Sequence, residues 1–161
     1  MQFSTAPLRI SFFGGSTDYK DFYEKHGSVI VGTTIDKYAY SFLRYKPPFL
    51  KKNSYIAYSN HEIVNEVEEI ANPLIKETLK YFSIYEYIDL ITFNDVPSRT
   101  GLGGSSSFCV SLIQSIYKLL NKPIDNKKII NQAIDIERNV LKDSGGIQDQ
   151  IWAGSKGFNN F

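Results

Sequence analysis

The chain has 161 residues, 42% of them hydrophobic, which suits one folded domain with a real core and excludes a disordered segment. Eighteen basic residues stand against 17 acidic ones, for a formal net charge of +1; that balance gives no electrostatic footprint for nucleic acid or for a membrane surface. No basic-then-apolar leader opens the sequence and no apolar run can span a bilayer, while the one cysteine, Cys109, rules out an internal disulfide and suits a reducing compartment, so a soluble, cytoplasmic protein is expected.

In chain order, residues 3–13 read as a strand in which Leu8, Ile10 and Phe12 alternate with Arg9 and Ser11. Gly14-Gly15-Ser16-Thr17-Asp18 breaks it. Residues 28–45, rich in β-branched and aromatic side chains, predict one long strand or a hairpin. Lys46 to Asn53 is a loop marked by Pro47-Pro48, and its lysines Lys46, Lys51 and Lys52 read as solvated. Tyr55–Tyr58 is a short strand. A helical pattern is expected from Glu62 to Phe82, broken or restarted at Pro73. Tyr87–Asn94 is a strand. Helices come next over Cys109–Leu120, with Cys109, Leu112, Ile113, Ile116, Leu119 and Leu120 on one face, and from about Asn126 to Leu141. Ser144-Gly145-Gly146 is a turn, and Asp149 opens the last segment. The aromatic ending Gly157-Phe158-Asn159-Asn160-Phe161 leads us to expect the N-terminal part of something longer. His26 and His61 lack partners at ligand spacing, so no zinc site is expected.

The most informative segment is Pro97-Ser98-Arg99-Thr100-Gly101-Leu102-Gly103-Gly104-Ser105-Ser106-Ser107, between a strand and a helix. Glycines there let the backbone approach an anion, the helix aims free N–H groups at the same point, and the serines supply hydroxyls for a cap or a metal ion. No Lys comes after the glycines, so this is not the Walker loop. An ordinary serine-capped helix is the competing reading.

Four charged residues carry candidate chemistry. Glu137 lies in a row with Ile130, Ile134 and Leu141, so its carboxylate needs either a basic partner or a cation. Asp149, delivered by a glycine turn, reads as a helix cap or as a general base. Arg9, on a half-buried strand, reads as an ion-pair member or as a phosphate ligand. Asp18 either closes an Asx turn or binds a sugar hydroxyl.

Together these segments resemble a known family. Pro7-Leu8-Arg9-Ile10-Ser11-Phe12-Phe13-Gly14-Gly15-Ser16-Thr17-Asp18-Tyr19 resembles the first motif of the GHMP kinases, and Pro97 to Ser107 its phosphate loop. Gly146-Ile147-Gln148-Asp149-Gln150 is similar to the segment that carries the catalytic aspartate of its sugar kinases. The Gly-Gly-Ser-Thr-Asp form most resembles the bacterial kinases of D-glycero-D-manno-heptose 7-phosphate.

The resemblance implies an α/β (α+β) fold over 1–161, the family's N-terminal ATP-binding domain. Its mixed sheet packs against helices and includes a left-handed βαβ unit. It implies ATP-dependent transfer of the γ-phosphoryl group to the anomeric hydroxyl of a heptose 7-phosphate. The product, a heptose 1,7-bisphosphate, would lead toward GDP-heptose and surface polysaccharide. Another sugar 1-kinase, of the fucokinase or galactokinase type, and a non-catalytic sugar or nucleotide binder are the alternatives. Pro97, Gly101, Leu102, Gly103, Gly104, Ser105, Ser106 and Ser107 would hold ATP. Ser105 and Glu137 would hold Mg²⁺. Asp149 would be the base, with Arg9 steadying it and the transferring phosphoryl group. Gly15, Ser16, Thr17, Asp18 and Gly146 would bind the sugar phosphate. Partners would be these small molecules, with no nucleic acid and no membrane, and with a homodimer left open. Two departures from the family pattern stand out. Gly104 replaces a frequent first serine, which leaves Ser106 as an alternative metal ligand. The family's third glycine-rich motif and its C-terminal domain are not in this sequence.

Overall fold

The computed structural model describes every residue except Ser98, Lys156 and Phe161, and residues 158–160 by their backbone alone. Ser98, in the glycine-rich segment, therefore lies outside the described residues. Strands β1 (Gln2–Phe13), β2 (Val31–Tyr45), β3 (Ser54–Ala57), β4 (His61–Val64) and β5 (Ile88–Asn94) form one mixed sheet in the order β1-β2-β5-β3-β4. A short β6 (Phe158–Asn160) adds to the start of β2. All pairings are antiparallel except β3 with β5, which the chain joins by way of β4 and a helix. Helices α1 (Lys20–His26), α2 (Pro73–Tyr81), α3 (Gly104–Leu119), α4 (Asn126–Asp135) and α5 (Gln148–Ser155) complete the fold. Among the described residues no helix is long and apolar enough to cross a membrane.

Two expectations about local structure need correction, and the choice left open at Pro73 is decided. The helical pattern expected from Glu62 is a strand at first. Ile63 pairs with Tyr55 and Glu62 with Ile56, and period-two alternation buries Val64 while leaving Ile63 exposed. Pro73 then starts a helix rather than breaking one. Its missing N–H falls where the helix has no use for it, and Asn72 caps the turn by accepting from Ile75 N–H at 3.2 Å. Helix α3 begins five residues before Cys109, so the serines form its first turn.

In β1 the expected alternation holds only up to Leu8. A register shift between Pro7 and Arg9 turns the strand over, so Ala6, Pro7 and Leu8 are all buried while Ile10 and Phe12 face solvent. At this shift three residues of β2, Ile35, Asp36 and Lys37, stand opposite Leu8 alone, so the ladder is interrupted between Pro7 and Arg9.

Helix α3 holds the layers together. Leu112 and Ile116 pack with Leu43, Ile56 and Leu90 of the sheet. Cys109, Val110 and Ile113 pack with Ala6 and with Ile129, Ala133 and Ile136. Cys109 is buried, and burial pushes its thiol well above the usual range, so it packs as a small apolar side chain. Between the two clusters runs a seam of serines four residues apart. Ser107 donates to Pro7 C=O at 2.8 Å, Ser111 shares a hydrogen bond with Ser41 at 2.7 Å, and Ser115 donates to Ser41 C=O at 3.2 Å. Small side chains there let the helix lie close to the strands while every hydroxyl of the seam finds a partner.

The Leu112→Ala variant is expected to lose about 2–5 kcal/mol of stability, through lost burial plus the cavity left behind. Denaturant unfolding of wild type and variant measures it.

Candidate active site

Arg9 follows the register shift in β1 and reaches toward α5. Its Nε donates to Asp149 Oδ1 at 2.8 Å, and its second terminal nitrogen lies 2.6 Å from the same oxygen. The other terminal nitrogen donates to Gly101 C=O at 2.6 Å, and the Arg9 backbone N–H donates to Leu102 C=O at 3.1 Å. One residue thus ties the glycine-rich loop to the carboxylate of α5. The pair is mostly shielded, with side chains 11% and 25% exposed. Gly103 caps α3 with φ of +74°. A Cβ there would meet Arg9 and Asp149 at 3.4 Å, an ordinary contact, so it is the left-handed turn that favours glycine.

Glu137 sits beyond α4 on a π-helical turn, Ile136–Val140, closed by Leu141 N–H donating to Ile136 C=O at 2.9 Å. This corrects the expected helix over 126–141. The fully buried row is Ile129, Ala133, Ile136 and Glu137, spaced as one face of a regular α-helix, and the wider turn shifts only the residues beyond it; Ile130, Ile134 and Leu141 are half-buried. Glu137 is 2% exposed. Gln150 Nε2 donates to its Oε2. Burial pushes its carboxyl above the ordinary range, against the pull of the hydrogen bonds from Gln150 and Ser106 and of the Arg138 charge; the negative charge of Asp149 adds to the rise.

Asp18 is also 2% exposed. It accepts from Gln148 N–H at 3.0 Å and from the Gln148 amide at 3.3 Å. Gly146 lies flat against it, and a Cβ at 146 would fall inside the Asp18 carboxyl group. Thr17 closes its own turn by donating to Gly14 C=O at 2.7 Å.

Two cavities meet at these residues. The larger, about 690 Å³, is lined on one side by Pro97, Gly101, Gly103, Gly104 and Ser105. The smaller, about 290 Å³, is lined by Arg9, Ser16, Asp18, Ser106, Arg138 and Gly146, among others. Ser105, Glu137, Asp143 and Asp149 belong to both walls. Of the residues singled out in the sequence, Gly15, Thr17, Leu102 and Ser107 line neither cavity. For Ser107 the reason is its place in the serine seam. Ser105 is exposed at the junction, whereas Ser106 is buried beside Glu137.

Sequence reasoning passed over Gln148, Gln150 and Arg138. The two amides flank Asp149 one residue on either side, and each holds a buried carboxylate. That spacing was the available signal. Among the described residues no three His, Cys, Asp or Glu side chains converge on a metal position.

The Gly146→Ala variant is expected to lose about 1–3 kcal/mol by overpacking against Asp18. Thermal unfolding and amide exchange at Gln148, whose N–H the displaced carboxylate would release, check this together.

The sequence and the fold both have relatives among known proteins. Residues 65–157 match the family described as GHMP kinases N terminal domain. The chain is 32% identical over 170 residues to the D-glycero-alpha-D-manno-heptose 7-phosphate kinase of Campylobacter jejuni, covering 95% of this chain and 48% of that protein. It superposes on a D-glycero-D-manno-heptose 1-phosphate kinase from Bacteroides thetaiotaomicron with a TM-score of 0.89 at 27% identity, over 99% of this chain and 55% of that one. Galactokinase from Lactococcus lactis, at 19% identity, shares the fold with a TM-score of 0.75, over 96% of this chain and 42% of its own. The chain spans about half the length of these relatives. With its glycine-rich segment and Asp149 inside the matched residues, the chain belongs to the GHMP kinases and carries their N-terminal domain.

Proposed function

We propose that this chain forms the nucleotide and sugar clefts of a kinase that transfers the γ-phosphoryl group of ATP to a heptose phosphate. The observation that carries the reading is the position of Asp149: a carboxylate clamped by Arg9 on the wall shared by the two cavities. The heptose phosphate is suggested by the names of the two relatives above. We take the substrate to be a heptose 7-phosphate, the accepting hydroxyl to be the anomeric one, and the product to be the 1,7-bisphosphate.

ATP would occupy the larger cleft, its phosphates against the glycine loop and the first turn of α3. The free N–H groups there and the helix dipole favour negative charge. The sugar would enter the smaller cavity beside Asp18. Asp149 takes the proton of the accepting hydroxyl as that oxygen bonds to the γ-phosphorus. The bond to the bridging oxygen breaks, and ADP leaves with that electron pair. Arg9 holds the base by two nitrogens, and its grip on Gly101 keeps the loop in register with it.

The donor set at the junction fits Mg²⁺. Glu137 is a buried carboxylate with no ion pair among the described residues, and the exposed Ser105 lines the same two cavities. Two protein oxygens suit an ion that takes its other ligands from phosphates and water. A bound Mg²⁺ would neutralise charge on the phosphate oxygens.

Asp149→Asn is expected to lower turnover about 10²–10⁴-fold and to leave nucleotide binding in place. An ATP-consumption assay with heptose 7-phosphate, alongside nucleotide titration, reads both; unchanged turnover would overturn the assignment of the base. Glu137→Gln is expected to weaken the Mg²⁺ dependence of nucleotide binding by about 10–100-fold, measured by titrating the cation at fixed ATP.

A further inference from the structure

Arg138 is unaccounted for by this chemistry. It comes directly after Glu137 on the π-helical turn and lines the smaller cavity but not the larger one. Its Nε donates to Gly146 C=O at 3.0 Å and one terminal nitrogen donates to Asp143 C=O at 3.2 Å. Gly145 lies against the guanidinium plane, with room for a Cβ only at 3.0 Å from its nitrogens. The group is therefore held rigidly, and by neutral carbonyls alone. Among the described residues no carboxylate pairs with it.

The cavity's other charges are engaged differently. Arg9 is neutralised by Asp149, Glu137 accepts from Gln150, and Asp18 accepts from Gln148. Asp143 presents an exposed carboxylate on the rim shared with the larger cleft. A guanidinium has five donors, and two of them are used here. The neighbouring Glu137 carboxylate feels the Arg138 charge but lies beyond ion-pair distance, so the half-buried guanidinium keeps spare donors and no direct anionic partner among the described residues, and its planar fork matches a phosphate. Sugar hydroxyls do not require a full positive charge. The donor nucleotide does not compete for it, since Arg138 is absent from the larger cleft.

We propose that Arg138 is the anion subsite of the acceptor cavity. It binds the phosphate already carried by the sugar and so selects phosphorylated over neutral sugars. This rests on the kinase reading for its acceptor, but not for the existence of the subsite. Because Arg138 also holds the 143–146 turn, a general loss of activity would not distinguish binding from positioning. The decisive quantity is the ratio between two acceptors that share that turn.

In the full chain, kcat/KM is measured for heptose 7-phosphate and for the same heptose without phosphate, in wild type, Arg138→Met and Arg138→Lys. Inorganic phosphate binding is measured separately by calorimetry. The expected result in Arg138→Met is a fall of about 10–100-fold in the preference for the phosphorylated sugar, the size that one or two lost charged hydrogen bonds produce. A smaller fall is expected in Arg138→Lys, which keeps the charge without the fork, and inorganic phosphate binding should be lost in Arg138→Met. Equal losses for both sugars, or phosphate binding indifferent to Arg138, would overturn the subsite. If no sugar is turned over by wild type but phosphate binding still requires Arg138, the kinase reading fails and the subsite stands.

Discussion

The Arg9–Asp149 pair is the interaction on which the site depends. It spans 140 residues of sequence and joins an edge strand to the last helix. Its third point of attachment, Gly101 C=O, brings in the loop ahead of α3. Loop, strand and helix come from three distant parts of the chain, and each alone would be free to move. A guanidinium is suited to the junction because its donors lie in one rigid plane, so satisfying all three contacts allows a single arrangement. A lysine offers no such constraint.

Two irregularities of the backbone lie beside the charges. The register shift after Pro7, where three residues of β2 face Leu8 alone, comes directly before Arg9, whose side chain reaches α5, and a π-helical turn after Asp135 carries Glu137 and Arg138. Both departures cost local backbone hydrogen bonding, which the surrounding core must offset. That core is the α3 interface, where serines four residues apart allow close contact with β1 and β2.

Burial gives these charges their strength. Glu137 and Asp18 are almost sealed from solvent, and each is met by one glutamine of the Gln148-Asp149-Gln150 run. Alternate residues around the first turn of α5 thus address separate carboxylates, while Asp149 between them addresses Arg9. A short segment can serve three partners because successive side chains on a helix diverge by about 100°. The glycines at 145 and 146 then let this segment press against Arg138 and Asp18 without intervening side chains.

Much of the strand–loop–helix frame is legible in the residues alone, as are the glycine-rich loop and the charged residues Arg9, Asp149 and Glu137. Periodicity, glycine and isolated charge are local properties, so they survive without knowledge of the fold. Local reading fails at Glu62–Val64, where pairing with β3 overrides a helical spacing, and at the ends of α3 and α4. The division of labour among the serines is a tertiary matter: Ser107 serves packing while Ser105 opens on the junction, because adjacent positions on a helix meet different neighbours. The same holds for Gln148, Gln150 and Arg138. Their partners lie on the turn after β1, on a π-helical turn and in backbone carbonyls that folding alone brings within reach. The direction in which Arg9 points belongs to the tertiary structure too, because the register of β1 against β2 is set by how the two strands pair and leaves no mark in composition.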